Sequence, residues 1–468
     1  MATVASLNIN DASINYGKPN GLHWITASLF LIADMAGAGI VAFPAAMIRS
    51  GSFSGIIILL SLATSFCYTA CILSNNWIIM CNRWTIYAKH CRKPYPEMAY
   101  RAMGATARSI CSFILNTILF GVAVVFCLLS AYIINDFIIS ISNYNIGFCY
   151  VLLFVVLAIY PVTLLRSPQD FWWAVVLAML TTLVSIILIL IGSWLDYGKC
   201  DNTVFDPKPT IHFDGIIASL GTYMFGFGGH IIFPSVQHDM KYPKQFIRSA
   251  ILAFAIVTAV YLPISILGYA TYGNSLHDSV IDSIQTGWIR QCANLLIGMH
   301  CILTLTVVIN PLNQEAESFV KAPHHFGWHR VIIRTLVILA ILFAAETVPK
   351  FGPILNLIGG STVALTSAML PLLYNNYLNA SLHDPITNTY KRPTFIQVLQ
   401  RNSKNKLLLD FIIIVITMFF SMATTYTAII DIASTDFTMP CYLSFLESVP
   451  RNTSVEILSQ QSAICSGT

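Results

Sequence analysis

SLGTYMFGFGGHIIFPSVQHDMKYPKQF, residues 219–246, is the stretch that decides the fold. It begins as an apolar helix, is interrupted by Gly226-Phe227-Gly228-Gly229-His230, and resumes toward Pro234. Glycine weakens a helix, and proline removes a backbone donor and clashes with the preceding turn. In hydrocarbon each unsatisfied backbone group costs several kcal/mol, so a broken helix persists where it is buried or lines a cavity. The interruption is therefore a candidate binding site.

A second stretch, residues 34–44 (DMAGAGIVAFP), has the same pattern. In both stretches a glycine, Gly39 or Gly229, stands five residues before a proline, and a phenylalanine precedes that proline. Paired interruptions in two halves of a chain indicate a secondary transporter with inverted repeats and a site at the membrane midplane. The alternative is that Gly and Pro, which are frequent in membrane helices, only permit close packing.

The composition is that of a membrane protein. Of 468 residues, 56% are hydrophobic and 10% are charged, and the mean hydropathy is +0.70. A soluble domain has about 25% charged residues, so the chain is predicted to cross a bilayer many times. We expect lipid around it and no nucleic-acid partner; the net charge of +4 indicates nothing about protein partners, which stay unknown.

Apolar segments of about the length that spans a bilayer divide the chain. They lie near residues 23–48, 53–80, 109–135, 148–165, 171–193, 216–239, 249–272, 288–311, 331–348, 352–377 and 407–430. With the N-terminus in the cytoplasm, 19 Lys and Arg residues fall on the inner side and six on the outer side, as the positive-inside rule expects. We predict a cytoplasmic tail at 1–22 without a cleavable signal peptide, a transmembrane domain at 23–430, and an extracellular or luminal tail at 431–468.

The predicted outer side carries the features of an oxidising compartment. Asn452 begins an Asn-Thr-Ser sequon and is a candidate for glycosylation. Cys200, Cys441 and Cys465 fall in outer segments, and Cys149 is near the outer end of a span. We therefore expect at least one disulfide, whose partners the sequence does not identify. Most of the other cysteines lie in spans, where they are typical packing residues.

The two interruptions suit the two ends of an amino acid. A half-helix that starts after an unwound segment presents free N–H groups and a positive dipole end, which favour a carboxylate. A half-helix that ends at such a segment presents free carbonyls, which favour an ammonium group. The candidate substrate-binding residues are Gly37, Ala38, Gly39 and Ile40 for the carboxylate, Phe225, Gly226, Phe227 and Gly228 for the amine, and Asn116 and Tyr223 for the side chain.

Four polar residues are candidates for ion coupling. Asp34 is the acidic residue that we place clearly inside a span, and intramembrane carboxylates are by default functional. His230 and His300 could titrate near neutral pH, and Thr304 could complete a sodium site. Each also has a structural interpretation, as a hydrogen-bonded acid, a packed imidazole or an interhelical hydroxyl. We expect no metal site and no cofactor beyond the coupling proton or sodium ion, and interpret the loop histidines His324, His325 and His329 as solvated.

The stretches GAGIVAFP and GFGGHIIFPSVQHDMKYPKQF resemble the signatures of the amino acid/auxin permease family, within the amino acid-polyamine-organocation superfamily. The resemblance runs from Gly21 to Thr427. It implies an all-α integral membrane fold of 11 transmembrane helices: two inverted five-helix repeats, spans 1–5 and 6–10, with broken helices 1 and 6, plus helix 11. It also implies amino acid substrates and alternating access driven by a proton or sodium gradient.

The main hypothesis is therefore secondary active amino acid transport. The alternative is a transporter-like sensor or receptor that binds an amino acid without net transport, although its short loops offer little signalling surface. We expect no enzyme, because no catalytic pair recurs in matching spans, and no channel, because rings of charge are missing from the spans. The identity of the amino acid, the coupling ion, and the choice between plasma membrane and lysosomal or vesicular membrane stay open.

Overall fold

A computed structural model describes residues 17–434 and Cys441, with gaps at 90, 92, 143, 145, 165–171, 201–212, 322–326 and 387–388. At 172–175 and 434 it describes the backbone alone. The predicted glycosylation site at Asn452, Cys465 and most of both predicted tails thus lie outside the described residues, as do His324 and His325.

Helices form nearly all of the described chain. They are α1 Trp24–Met35, α2 Ala38–Ser50, α3 Ser52–Arg83, α4 Thr85–Lys89, α5 Pro94–Met103, α6 Ala105–Ser142, α7 Phe148–Thr163, α8 Trp172–Asp196, α9 Phe213–Gly226, α10 Phe233–His238, α11 Phe246–Tyr272, α12 Gly287–Phe319, α13 Trp328–Thr347, α14 Phe351–Ile358, α15 Leu370–Ala380, α16 Phe395–Arg401 and α17 Lys404–Ser434. Short 3₁₀ turns occur at Pro243–Gln245, Gly273–Ser275 and Val280–Ser283, and π-helical turns at Gly359–Val363 and Leu365–Met369. Two strands, β1 Leu382–Asp384 and β2 Thr389–Lys391, pair as an antiparallel hairpin.

Every predicted apolar segment coincides with a helix or with an interrupted pair of helices. Within the described residues, eight helices are long and apolar enough to cross a membrane, or nine if the bent pair α1–α2 counts as one span. The helix α7 is shorter, and α9 and α10 are separate short pieces. A mostly helical, multi-pass membrane protein is thus confirmed, whereas the number of eleven spans and the inverted repeats stay predictions.

Both predicted interruptions are present. Helices α1 and α2 meet at an angle of 56°, around Gly37, whose φ of −123° and ψ of −122° are not helical. Helix α9 ends at Gly226 and α10 begins only at Phe233. The two interrupted helices also cross closely, since a Cβ on Gly39 would lie 2.8 Å from the Cα of Gly226. A larger residue at either position would separate α2 from α9.

A disulfide joins Cys149, at the start of α7, to Cys441 beyond the end of α17. Cys200 is also disulfide-bonded. The expectation of at least one disulfide is confirmed, and its partners are 292 residues apart in sequence. Its position on the outer side stays a prediction. The free cysteines among the described residues are Cys67, Cys71, Cys81, Cys91, Cys111, Cys127, Cys292 and Cys301.

This disulfide predicts a specific labelling pattern. In intact cells, Cys149→Ser should make Cys441 reactive toward a membrane-impermeant maleimide, because the substitution leaves its thiol free on the predicted outer side. Peptide mass spectrometry would locate the label. The double variant Cys149→Ser/Cys441→Ser is the control, and labelling of Cys441 in the unsubstituted protein would contradict the pairing.

Candidate substrate-binding cavity

A cavity of about 270 Å³ lies between the two interruptions. Segments from both interrupted helices, from α6, α8 and α12, and from the π-helical region after α14 surround it. Its lining residues are Phe30, Ala33, Asp34, Met35, Gly37, Ala38, Ile118, Leu119, Val122, Phe126, Ala178, Phe225, Gly228, Gly229, Ile231, Ile232, Leu303, Thr304, Val307, Val308, Pro311, Val363 and Thr366. A mostly apolar cavity with a few polar groups is the usual form of a small-molecule site.

The polar side chains of this lining are those of Asp34, Thr304 and Thr366. Asp34 is its only charged residue, so within the described lining the carboxylate is not matched by any Lys or Arg. The remaining wall consists of aliphatic and aromatic side chains and glycine backbone. An ionised carboxylate in such surroundings favours a cationic partner inside the cavity.

Asp34 faces the backbone of the opposite interruption. It lies one residue before Met35, which ends α1, and a Cβ added to Gly229 would lie only 2.6 Å from its Oδ2 atom. The carboxylate therefore occupies space that any residue other than glycine at 229 would fill. This contact explains why the chain carries a glycine at position 229, beyond the loosening of the helix itself.

The ends of the half-helices supply backbone groups of both polarities. Helix α2 begins at Ala38, whose N–H and that of Gly39 are in the first turn and have no intrahelical acceptor. Gly37 and Ala38 line the cavity, so the positive end of α2 adjoins it. On the other side, the Tyr261 hydroxyl lies 2.6 Å from the carbonyl oxygen of Met35 and 3.0 Å from that of Gly226. Tyr261 thus joins the ends of α1 and α9.

The structure separates the predicted substrate-binding residues into two groups. Gly37, Ala38, Phe225 and Gly228 line the cavity. The other six do not lie in its wall. Gly39 and Gly226 form the helix crossing, and Ile40 and Phe227 are fully buried. Asn116 is on α6, two residues before Ile118, and Tyr223 packs edge-on against Phe43 with its hydroxyl 3.3 Å from that of Ser50. Both interruptions lie where the sequence predicts them, and four of the ten candidate residues line the cavity, while a role in substrate binding stays a prediction for all ten.

Two of the ion-coupling candidates, Asp34 and Thr304, line the cavity, and His300 lies directly behind Thr304. The Thr182 hydroxyl donates to the carbonyl of Ala178 at 2.8 Å, so the Nδ1–H of His300, 2.7 Å away, donates to the Thr182 oxygen. His300 Nε2 lies 3.3 Å from the Thr304 hydroxyl. Thr182, His300 and Thr304 thus form a hydrogen-bonded chain that ends at the cavity.

His230 belongs to the interruption, but its side chain points away from the cavity. Its Nε2 atom lies 3.0 Å from the carbonyl oxygen of Phe66 and 3.2 Å from the hydroxyl of Thr69, both on α3. The ring is fully buried and edge-on to Phe66. Its observed contacts are therefore those of an interhelical hydrogen-bonding residue.

Several residues escaped the sequence interpretation. Phe126 and Thr366 line the cavity, and Tyr261 holds the two helix ends, yet nothing in their local sequence distinguishes them from packing residues.

Asp34 is not the sole acidic residue inside a predicted span, because Asp410 is also buried in one. It is 1% exposed within α17 and accepts a hydrogen bond from Tyr68 at 3.2 Å. Its position in the predicted span at 407–430 was a visible signal.

Within the described residues, no group of three or more His, Cys, Asp or Glu side chains is arranged to hold a metal ion.

Comparison with known proteins places this cavity in context. The sequence profile of the family described as "Transmembrane amino acid transporter protein" matches residues 20–430. The chain is 23% identical over 356 residues to "Amino acid transporter AVT1C" of Arabidopsis thaliana, covering 72% of this chain and 60% of that protein. It is 27% identical over 364 residues to "Amino acid transporter AVT1H" of the same plant, covering 72% and 78%. "Lysine histidine transporter-like 1" is 28% identical over 166 residues, 33% of this chain and 36% of the relative.

The matched region thus spans about 60% of the length of the AVT1C relative. Because the family match extends from residue 20 to residue 430, the chain belongs to the transmembrane amino acid transporter protein family.

Proposed function

We propose that this chain is an ion-coupled secondary active transporter that moves amino acids by alternating access around the cavity. Membership of the family and the names of its relatives support an amino acid as substrate. The observation that carries the proposal is the apposition of the two helix interruptions, with Asp34 from one against Gly229 of the other. Such apposed broken helices are the usual substrate site of transporters with inverted repeats.

The cavity suggests how an amino acid is held. Its ammonium group would pair with Asp34, the sole charge of the described lining. Its carboxylate would accept a hydrogen bond from the N–H of Ala38 at the positive end of α2. Its side chain would then face Ile118 and Val122 of α6 and the apolar residues of α12. A neutral aliphatic or aromatic side chain fits this wall, because a charged one would be buried without a partner.

Coupling is assigned to the polar groups that reach the cavity. Asp34 and the Thr182–His300–Thr304 chain can each bind or pass a proton, and the oxygens of Asp34 and Thr304 are also suitable sodium ligands. His230 has no place in this proposal, since its ring lies against α3. The choice between proton and sodium is left to the uptake experiment below.

The remaining features belong to the same proposal. The chain would have eleven spans in two inverted repeats plus a last helix, in the plasma membrane or a lysosomal or vesicular membrane. The coincidence of each predicted segment with a helix, and the two interruptions, support this arrangement.

The first experiment is uptake of labelled amino acids into proteoliposomes, with pH and sodium gradients imposed separately. We expect accumulation of amino acids with apolar side chains, driven by one of the two gradients, because the cavity combines an apolar wall with titratable and oxygen-bearing groups. Saturable binding without accumulation under either gradient would contradict transport and support the sensor alternative.

Removal of the charge on Asp34 should weaken substrate binding. For Asp34→Asn we expect a loss of about 10- to 100-fold in affinity, since a hydrogen bond to a charged group contributes about 1.5–3 kcal/mol. The measurement is equilibrium binding of the transported amino acid to the purified variant. Asp410→Asn is the matched control, because it removes another buried intramembrane carboxylate that lies outside the cavity lining. Equal affinities for Asp34→Asn and the unsubstituted protein would remove Asp34 from the site.

Loss of the Thr304 hydroxyl from the Thr182–His300–Thr304 hydrogen-bonded chain should affect ion coupling more than substrate binding. In Thr304→Val the side chain keeps its shape, but His300 loses the hydroxyl that connects it to the cavity. We expect substrate binding within about threefold of the unsubstituted protein and a large loss of gradient-driven accumulation. Thr306→Val is the control, since the Thr306 hydroxyl donates within α12 to the carbonyl of Leu303 at 2.7 Å. Undiminished accumulation in Thr304→Val would overturn this assignment.

A further inference from the structure

Three guanidinium groups gather around one aromatic ring on the side of the protein that the Lys and Arg distribution predicts to be cytoplasmic. The guanidinium carbons of Arg392, Arg101 and Arg108 lie 4.7, 5.5 and 5.7 Å from the centre of the Tyr100 ring. Tyr100 and Arg101 are in the last turn of α5, Arg108 is in the first turn of α6, and Arg392 follows β2. We call this set the arginine cluster.

The charges of the arginine cluster are not balanced by the described residues. Glu97 is ion-paired with Arg108 at 3.0 Å and accepts a hydrogen bond from Tyr87 at 2.7 Å. Arg101 donates to the neutral Tyr87 hydroxyl at 2.9 Å, and among the described acidic residues neither Arg101 nor Arg392 has an ion-pair partner. Three cations in so small a volume repel one another, and only one carboxylate lies among them, so an added anion would stabilise them.

The surroundings of the arginine cluster match the boundary of a bilayer. Soon after Arg392, the short helix α16 buries Val398 and exposes Phe395, Ile396 and Leu399 by 64, 66 and 48%. A short helix with an exposed apolar face, placed just before a long apolar helix, is suited to lie in the lipid interface. Arg392 is itself exposed. The arginine cluster would therefore lie at the depth of the phospholipid headgroups.

We propose that the arginine cluster binds the phosphate group of an anionic phospholipid in the inner leaflet. Guanidinium groups form paired hydrogen bonds with phosphate, and stacking on Tyr100 and, for Arg101, on Trp84 at 4.8 Å holds them in place before the ligand arrives. The negative potential of the cytoplasmic leaflet concentrates such lipids beside basic segments. Lipid tails would pass along the exposed apolar residues of α16.

Helix α5 connects this site to the cavity. The Tyr95 hydroxyl donates a hydrogen bond to the carbonyl oxygen of Thr366, a residue that lines the cavity. Lys93, just before α5, forms an ion pair of 2.7 Å with Glu315 on α12, the helix that contributes Thr304 to the cavity wall. A lipid phosphate on the arginine cluster would fix the far end of this short helix. Its effect on transport rests on the function proposed above, whereas binding of the lipid does not.

The experiment measures lipid binding directly. The purified full chain would be titrated with phosphatidic acid, with phosphatidylcholine and with inorganic phosphate, and native mass spectrometry would measure how much of each binds. We expect phosphatidic acid to bind more tightly than phosphatidylcholine, and Arg392→Gln to weaken phosphatidic acid binding at least about fivefold, in the range of one charge-assisted hydrogen bond. Lys241→Gln is the matched control, since Lys241 is also an exposed cation on the same predicted side, 5.5 Å from the ring of Tyr242. It should bind phosphatidic acid as the unsubstituted protein does.

Each outcome decides the proposal. Equal binding of the two lipids, or equal losses in Arg392→Gln and Lys241→Gln, would overturn it. Competition by inorganic phosphate as effective as that by the lipid would overturn the lipid as the source of the phosphate. In proteoliposomes, about 10 mol% phosphatidic acid should raise uptake at least about twofold over pure phosphatidylcholine, and Arg392→Gln should remove that increase. If uptake is absent in every lipid while binding follows the expected order, the proposed function fails and the lipid site stands.

Discussion

The hydroxyl group of Tyr261 supplies a hydrogen-bond donor to the carbonyl groups at the ends of two interrupted helices, and the arrangement of both interruptions depends on it. Two interrupted helices in an apolar environment leave carbonyl groups without intrahelical partners, and each unsatisfied group costs several kcal/mol. Tyr261 is fully buried on α11 and reaches the carbonyls at the ends of both α1 and α9. One hydroxyl hydrogen serves one carbonyl at a time, so the two helix ends are kept within reach of a single donor. The two interruptions are thereby held opposite each other.

The apposition of the two interruptions also determines the surroundings of the Asp34 carboxylate. A charge at membrane depth is costly unless it has a partner, and the described lining provides no cation. The backbone of Gly229 lies against it because glycine lacks the Cβ that would collide. The cavity wall beside Asp34 therefore presents one acidic side chain, one helix N-terminus and an apolar remainder. The proposed substrate, a zwitterion with an apolar side chain, would complement all three.

The sequence predicted what depends on local chemistry. Gly37 and the glycines at 226–229 mark both interruptions, and apolar length marks the helices, because these signals act through the backbone and its solvent. It did not predict the direction of side chains within an interruption, where helical periodicity no longer applies. His230 and Phe227, both in the second interruption, do not line the cavity, and helical periodicity could not predict this. Tyr261 comes from another helix, and the Cys149–Cys441 pair is 292 residues apart, so both depend on tertiary packing.

In the alternating access proposed above, the same contacts would decide which helices move together. Tyr261 joins α1, α9 and α11, and the crossing of Gly39 and Gly226 joins α2 to α9, so these helices are suited to move as one body. Across the cavity, α6 and α12 present Ile118, Val122 and Val307. Apolar contacts are non-directional and can slide without breaking hydrogen bonds, whereas the Tyr261 contacts cannot. If α6 and α12 form the second body, the boundary between the two moving bodies would run through the cavity. The Lys93–Glu315 ion pair would join α5 to this second body.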